Sequence, residues 1–128
     1  MTLLLDTQAF FLMTLDAPEL SSCARAAIAD PTATCLVSIA SLWELAIKDG
    51  VGKLRLYAPL DQMLREVGLA FGLRRLSIED AHLTAYRNFP LHHRDPFDRM
   101  IIAQALSENL TVVGNDEAFD AYGVRRIW

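Results

Sequence analysis

The sequence has few cysteines, and they form no pattern typical of a disulfide framework or a metal site. Cys23 and Cys35 are the only 2 among 128 residues, and both stand among apolar neighbours. This number excludes a disulfide-dense scaffold, and the absence of a CxxC pair argues against structural zinc. We therefore expect two buried free thiols in a cytoplasmic protein, with a disulfide between them as the alternative.

Long apolar runs and leader signals are also missing. The first residues, MTLLLDTQAFFLMTLD, have no basic segment and no small-residue cleavage site, and Asp6 interrupts them early. We expect neither a signal peptide nor a membrane span. A composition of 52% hydrophobic and 22% charged residues, without repeats or linkers, predicts one globular domain over residues 1–128.

Positive charge is scarce. The formal net charge of −4 argues against binding of nucleic acid through a broad basic surface. It does not exclude a nuclease, because an acidic metal centre can carry much of the negative charge. Of the 12 basic residues only Lys48 and Lys53 are lysines, and the others are arginines, which bind phosphate through two N–H groups.

The motifs of nucleophilic and nucleotide chemistry are absent as well. The chain has no GxSxG motif, no Cys–His arrangement and no P-loop. The segment GVGKLRL contains glycines and a lysine without the P-loop spacing, and it predicts a turn. A reaction at this protein would therefore have to use other side chains.

The sequence does contain a regular alternation of predicted strands and helices. The strands are apolar runs without in–out alternation, which is typical of a parallel sheet with helices on both faces. They are TLLLD, TCLVS, LRRL, LTVVG and VRRIW. The predicted fold class is α/β, with a central, mostly parallel sheet, and ligands bind such sheets at the carboxyl ends of the strands.

Proline, glycine and capping residues mark the ends of the predicted helices. Gly50 closes the helix IASLWELAIKDG, whereas Pro59 lies in the first turn of the next helix and Gly72 beyond its end. Ser77 and Asp80 form a pattern that resembles a capping box and opens the helix AHLTAYRNF.

Carboxylates follow two of the predicted strands. Asp6 ends the first strand, and Asp116 comes shortly after LTVVG. Each can serve as the N-cap of the helix that follows, which accounts for either residue taken alone. Both are nevertheless predicted at the edge of the sheet where ligands bind.

Glu44 lies on a predicted helix, SLWELAIK, that has almost no polar face. An exposed Glu44 would pair with Lys48 one turn later, for a few tenths of a kcal/mol. On a helix this apolar we expect burial, and a buried carboxylate needs a cation partner. That partner is either Lys48 or a metal ion.

Two aspartates stand three residues apart in HRDPFDRMIIAQA. Asp95 serves as an N-cap, Pro96 as the first helical residue, and Asp98 as an acid favoured by the helix dipole. Because Asp95 and Pro96 suffice to start the helix, Asp98 is a surplus carboxylate. The apolar residues after it predict a deeply embedded helix.

Together, four acids from separate segments are predicted to point into one crevice. They are Asp6, Glu44, Asp98 and Asp116. Four carboxylates repel each other unless a divalent cation neutralises them, and oxygen ligands favour Mg²⁺ or Mn²⁺ over zinc. Such centres commonly cleave phosphodiesters with an activated water.

The histidines are not predicted to belong to this site. His92 and His93 are adjacent and point in different directions, so we expect a surface loop, with phosphate contact from Arg94 or Arg99 as a secondary possibility. His82 is expected to be structural or exposed.

Four segments, in order and spacing, resemble the PIN-domain ribonucleases, specifically the VapC-like toxins of bacterial type II toxin–antitoxin pairs. They are LLLDTQAF, SLWELAIK, HRDPFDRMIIAQA and TVVGNDEAFDAYGV, which extend over essentially the whole chain. The resemblance implies that Asp6, Glu44 and Asp98 bind Mg²⁺ or Mn²⁺. It also implies a three-layer α/β fold, a homodimer, and a cognate antitoxin whose tail covers the active-site groove.

The resemblance is less complete at the fourth acid. Asp116 matches it, but the family commonly has Ser or Thr two residues earlier, where this chain has Gly114. A hydroxyl that could orient a water is therefore missing, and Asp116 is the least supported ligand. Asp95 matches the family signature as an N-cap first and as a support of the metal site second.

These observations lead to the hypothesis of a metal-dependent endoribonuclease, the toxin of a type II pair. One alternative is a degenerate PIN-fold protein that binds an antitoxin without cleaving RNA, which Gly114 mildly favours. Another is a phosphoryl-transfer domain of the receiver or phosphatase type. LLLDTQ lacks the DxD pattern of phosphatases, and no lysine follows Lys53, although both types need one near the last strands.

Overall fold

The computed structural model describes residues 1–128 and contains one sheet of five strands. The strands are β1 (Thr2–Leu5), β2 (Thr34–Ser38), β3 (Arg74–Leu76), β4 (Thr111–Val113) and β5 (Arg126–Ile127). Their order is β3-β2-β1-β4-β5, and every neighbouring pair is parallel. The predicted parallel sheet is confirmed, and it contains no antiparallel strand.

Helices cover both faces of this sheet. They are α1 (Thr7–Thr14), α2 (Ser22–Ala29), α3 (Ile39–Gly50), α4 (Leu60–Phe71), α5 (Asp80–Asn88), α6 (Pro96–Glu108) and a 3₁₀ helix (Glu117–Tyr122). Leu3 and Leu5 pack in one cluster with residues of α1 to α4, whereas Leu4 packs with α6 and Phe119 on the other face. Both faces of β1 are thus buried, which explains its uninterrupted apolar run and confirms the three-layer α/β fold.

Helix α6 occupies a central position. Every residue from Arg99 to Ala105 is buried. Ile101 and Ile102 pack against the sheet, while Met100 and Ala103 pack against Ala40 of α3. This packing brings the first turn of α6 close to α3 and to the edge of the sheet.

Two of the predicted helix ends differ from the structure. Helix α3 includes Gly50, and the left-handed residue after it is Gly52, with φ of 77°. Helix α4 begins at Leu60, so Pro59 is its N-cap, while Gly72 terminates it in the left-handed conformation as predicted. Any glycine takes the left-handed conformation without steric cost, so the sequence did not show whether Gly50 or Gly52 follows the end of α3.

The capping box predicted at Ser77 is wrong. Helix α5 begins at Asp80, and its N-cap is Glu79. The backbone N–H of Glu79 donates to Nδ1 of His82 at 2.9 Å, and Nε2 of His82 contacts Glu108 of α6 at 2.7 Å. His82 is 2% exposed, so its structural role is confirmed, and it ties α5 to α6.

Only one of the two cysteines is buried. Cys35 lies in β2, where burial raises the pKa of its thiol, and Cys23 is exposed on α2. Both are free thiols, so the prediction is confirmed for Cys35 and wrong for the burial of Cys23. None of the helices has both the length and the apolar character needed to span a bilayer.

Candidate metal centre

A crevice of about 510 Å³ opens at the carboxyl ends of β1 and β4, which are neighbours in the sheet. From β1 the chain proceeds to β2 on one side, and β4 lies on the other side. Side chains at such a reversal point into a gap that no crossover helix fills. The crevice contains all four predicted acids, Asp6, Glu44, Asp98 and Asp116, together with Asp95 and Lys48.

Asp6 follows β1 and is almost completely buried, at 5% exposure. Its Oδ1 accepts the backbone N–H of Ala9 at 2.7 Å and so caps α1. Desolvation by burial, with the nearby charges of Asp116 and Glu44, raises the pKa of Asp6 to about 6. The capping role is therefore real, but only one of the two carboxylate oxygens performs it.

Gly114 makes the position of Asp6 possible. A Cβ atom at residue 114 would lie 2.4 Å from Oδ2 of Asp6, well inside van der Waals contact. The glycine noted as a departure from the family pattern thus leaves the space that this carboxylate occupies.

Glu44 is buried on α3, with 7% exposure, as its apolar helix predicted. Its Oε2 pairs with Nζ of Lys48 at 2.8 Å, and this hydrogen bond raises the pKa of Lys48. Its Oε1 is buried and has no hydrogen-bond partner. A buried carboxylate oxygen without a partner is costly in free energy, and a bound cation would satisfy it.

Asp95 and Asp98 divide their tasks as predicted. Asp95 caps α6, because its Oδ1 accepts the backbone N–H groups of Phe97 at 2.8 Å and Asp98 at 3.0 Å. The carboxylate of Asp98 takes no part in capping and faces the crevice. Desolvation, followed by the repulsion from Asp95, raises the pKa of Asp98 to about 7.

Asp116 differs from the other acids in its contacts. It caps the 3₁₀ helix through Oδ1, which accepts the backbone N–H of Ala118 at 2.9 Å. Its Oδ2 lies 2.8 Å from Nε2 of His93. The side chain is 44% exposed, so Asp116 lies at the rim of the crevice.

His93 is the residue at this site that the sequence did not reveal. Its Nε2 contacts Asp116 and lies 3.1 Å from Oδ2 of Asp98, so the predicted surface loop is wrong for this side chain. His92 is exposed, as expected. The adjacent pair did indicate that only one imidazole could face any given site, but not which one.

Arg99 does not contact a phosphate site. It is 7% exposed, and its guanidinium group donates to the backbone carbonyls of Tyr86 and Pro90 at 3.2 and 3.1 Å. Its orientation is fixed within the protein, so the secondary possibility proposed for Arg99 is wrong. Arg94 is exposed, and that possibility stays open for it.

The donor set fits a hard divalent cation. Asp6, Glu44 and Asp98 supply carboxylate oxygens from three elements, and the two raised pKa values show that the site holds negative charge at a cost in free energy. The unpartnered Oε1 of Glu44 gives an independent sign of a missing partner. Oxygen ligands of this kind suit Mg²⁺ or Mn²⁺.

Solved structures with the same fold come from toxin–antitoxin assemblies. VapBC2 from Rickettsia felis, bound to a promoter DNA fragment, matches with a TM-score of 0.73 and 19% identity over 98% of this chain and 97% of that chain. FitAcB from Neisseria gonorrhoeae matches with a TM-score of 0.65 and 20% identity, over 97% of this chain and 95% of that chain. VapBC-5 from Mycobacterium tuberculosis matches with a TM-score of 0.61 and 21% identity, over 98% of this chain and 96% of that chain.

No curated protein sequence matches the chain. The family model described as the PIN domain matches residues 3–124. Since this match extends over nearly the whole chain, and its fold agrees, the protein belongs to the PIN domain family, as the four sequence segments had indicated.

Proposed function

We propose that this protein is a metal-dependent endoribonuclease whose metal ligands are Asp6, Glu44 and Asp98, with Asp116 as the fourth acid of the site. The observation that supports this most strongly is the buried Oε1 of Glu44, which has no partner and lines the same crevice as Asp6 and Asp98. When bound, Mg²⁺ or Mn²⁺ lowers the pKa of a water molecule and neutralises charge on the phosphate.

The chain's own residues have separate parts in this proposal. The backbone N–H of Ala9 donates to one oxygen of Asp6, and the ammonium group of Lys48 donates to one oxygen of Glu44. In each acid the second oxygen is left for the cation. In the metal-free protein Asp98 holds a proton near neutral pH, because desolvation and the repulsion from Asp95 raise its pKa to about 7, and this proton leaves when the cation binds. The open crevice accommodates a phosphodiester of single-stranded or looped RNA, the accessible form of this substrate.

The direct test is cleavage of a mixed RNA pool by the purified protein. We expect cleavage with Mg²⁺ or Mn²⁺, none with EDTA, and a loss of at least about 100-fold in Asp98→Asn, Glu44→Gln and Asp6→Asn. Asp61→Asn is the matched control, because Asp61 is exposed and pairs with Arg65 on α4, outside the crevice. Cleavage that needs no metal and survives Asp98→Asn would contradict the proposal.

We also propose that a cognate antitoxin binds over the acidic crevice in the cytoplasm. The similar structures were solved as toxin–antitoxin assemblies, and the crevice carries five carboxylates against Lys48 alone. A complementary segment would therefore carry arginine or lysine. Co-expression with an antitoxin candidate encoded in the same operon should yield a complex in which RNA cleavage is inhibited; free cleavage in the complex would contradict this arrangement.

We propose a homodimer through the apolar surface beside the crevice. Trp43, Ile47 and Leu83 are 59%, 42% and 52% exposed, and they lie on α3 and α5. An apolar groove of about 250 Å³ runs between these helices and α6, with Phe97 edge-on to Trp43 at 5.1 Å. Exposed apolar surface of this kind commonly marks a protein interface.

The dimer has a simple test. Sedimentation should show twice the chain mass for the wild type and a monomer for Leu83→Glu, because a charge would be desolvated on both sides of an isologous contact. A wild type that sediments as a monomer, or a Leu83→Glu variant that remains dimeric, would show that this surface has another use.

One competing function is supported by a specific residue. At Gly114 the chain lacks the hydroxyl that the family resemblance implies, which mildly favours a degenerate PIN-fold protein that only binds an antitoxin, although the same glycine leaves the space for Asp6. Metal titration separates the two functions: a nuclease binds Mn²⁺ and loses that binding in Asp6→Asn, whereas a protein without a metal centre shows no such difference.

A further inference from the structure

His93 lies between α5 and α6 and contacts two of the acids. Its Nε2 is 2.8 Å from Oδ2 of Asp116 and 3.1 Å from Oδ2 of Asp98. The side chains of His93 and Asp98 are 16% and 21% exposed, whereas that of Asp116 is 44% exposed, so water screens the contact with Asp98 less than the contact with Asp116. One ring nitrogen therefore bridges carboxylates from two different elements.

The other ring nitrogen identifies the tautomer. The backbone N–H of Asp95 donates to Nδ1 of His93 at 3.2 Å. Nδ1 must then carry a lone pair, which places the ring hydrogen on Nε2, facing the carboxylates. A metal-binding imidazole has the opposite arrangement, with its other nitrogen donating to an acceptor. His93 is thus arranged as a donor to Asp116, with Asp98 beside the same nitrogen.

Tyr122 holds the backbone of this histidine. Its hydroxyl accepts the N–H groups of His92 at 3.0 Å and His93 at 2.9 Å, and it donates to the carbonyl of Pro90 at 2.9 Å. These contacts join the loop before α6 to the end of the 3₁₀ helix, about 30 residues away in sequence.

Arg99 holds the same loop from the other side. Its guanidinium group donates to the carbonyls of Pro90 and Tyr86 and to the hydroxyl of Tyr122, and it lies 4.8 Å from the centre of the Tyr86 ring. This group is buried and none of its partners is a carboxylate. The buried guanidinium group thus donates mainly to backbone carbonyls, and these hydrogen bonds fix the position of the loop that carries His93.

Both carboxylate oxygens of Asp116 already accept a hydrogen bond. Oδ1 accepts from Ala118, and Oδ2 accepts from His93. Glu44, by contrast, keeps one buried oxygen without a partner. The imidazole of His93 therefore lies between Asp116 and Asp98.

We propose that His93 is a positioning residue: its Nε2–H group donates to Asp116, its ring lies 3.1 Å from Oδ2 of Asp98, and it so sets the orientation of Asp98 toward the cation. The role of Asp116 is then to hold His93. This inference rests on the proposed function only in naming the cation, since the contacts themselves belong to the metal-free protein.

The test is Mn²⁺ binding, followed by electron paramagnetic resonance, which requires no RNA cleavage. We expect His93→Ala and Asp116→Asn each to weaken Mn²⁺ affinity about 10-fold, the usual effect of losing a partner behind a ligand, with no further loss in the double variant. Gln places an amide donor near the position of Nε2, so His93→Gln should restore part of the affinity. His92→Ala is the matched control and should bind as the wild type does.

The tautomer is tested separately in the metal-free wild type by ¹⁵N NMR of its histidines. We expect a hydrogen on Nε2 and none on Nδ1 of His93. Three results would overturn the proposal: a hydrogen on Nδ1, wild-type Mn²⁺ affinity in His93→Ala, or losses that multiply in the double variant. A wild type that binds no Mn²⁺ would instead contradict the proposed function, while the NMR result would still decide the His93 contact.

Discussion

At the scale of single residues, the site is defined by carboxylates that the fold has partly removed from water. Asp6 and Asp98 have pKa values raised to about 6 and about 7, mainly by desolvation. Between the ordinary value of 3.8 and these raised values, the folded protein holds protons that the unfolded chain releases. The stability of the metal-free protein therefore falls as the pH rises through this range.

The same protons compete with the cation, which gives the first prediction. Apparent Mn²⁺ affinity should rise most steeply below about pH 6, where both Asp6 and Asp98 are protonated, and should level off above about pH 7, where both have lost their protons. Calorimetric titration across this range measures it. An affinity independent of pH in the wild type would contradict the raised pKa values.

Gly114 gives the second prediction. Gly114→Ser would place a Cβ atom 2.4 Å from Oδ2 of Asp6, whose side chain cannot retreat freely because it is buried and bonded to Ala9. We expect Mn²⁺ affinity to fall about 10-fold or more, rather than to improve with the hydroxyl common in the family. Gly68→Ala is the control, because a Cβ there meets only the Leu73 carbonyl at 3.6 Å. Higher affinity in Gly114→Ser would show that Asp6 can move.

At the scale of secondary-structure elements, capping and metal binding use different atoms of the same short segments. Asp6, Asp95 and Asp116 each cap a helix through Oδ1. Capping explains these acids locally, as the sequence indicated, but Asp98 and Glu44 have no such role. The helix N-termini place Asp6, Asp98 and Asp116 at the sheet edge, and Glu44 joins them from the middle of α3.

Substitutions of Asp95, the N-cap of α6, test the capping role by itself. Asp95→Ala should cost about 1 kcal/mol of the free energy of unfolding, because two backbone N–H groups lose their acceptor, whereas Asp95→Asn should cost only a few tenths, since asparagine caps equally well. Urea denaturation of both variants measures the difference. Equal losses in the two variants would show that the charge of Asp95, and not its capping oxygen, stabilises α6.

At the scale of the whole molecule, cation binding should be visible as stability. Mg²⁺ or Mn²⁺ at about 100 times its Kd adds about 2.7 kcal/mol to a protein that binds it only when folded. The Asp98→Asn variant should differ from the wild type both without and with the cation. It should be more stable than the wild type in EDTA at pH 8, since it removes a buried charge whose pKa is raised to about 7, and it should gain little from the cation.

Thermal unfolding of both proteins, with EDTA and with Mg²⁺, checks this reversal. The wild type should be the less stable protein in EDTA and should gain the most from Mg²⁺. If Asp98→Asn were the less stable protein in EDTA, the contribution of Asp98 to the helix dipole would outweigh the repulsion between the acids.

Much of the fold followed from local patterns. Continuous apolar strands such as TCLVS predicted the parallel sheet, and Asp95, Pro96 and Gly72 marked helix ends correctly, because capping and backbone conformation depend on neighbouring residues. The pattern at Ser77 misled, because Glu79 and His82 form the cap, and His82 is held there by Glu108 of another helix. Cys23 and Cys35 look alike in sequence, and only packing distinguishes them.

By itself, then, the sequence determined the layers of the fold and the presence of surplus carboxylates at the strand ends, since strand, cap and turn preferences are local. The tertiary structure decided how these acids are joined. Tyr122, 29 residues away in sequence, and Arg99, on the helix that follows, fix the loop of His93 so that its ring faces Asp98 and Asp116. Such contacts leave no periodic trace in a sequence, because each is a single hydrogen bond whose partners packing selects.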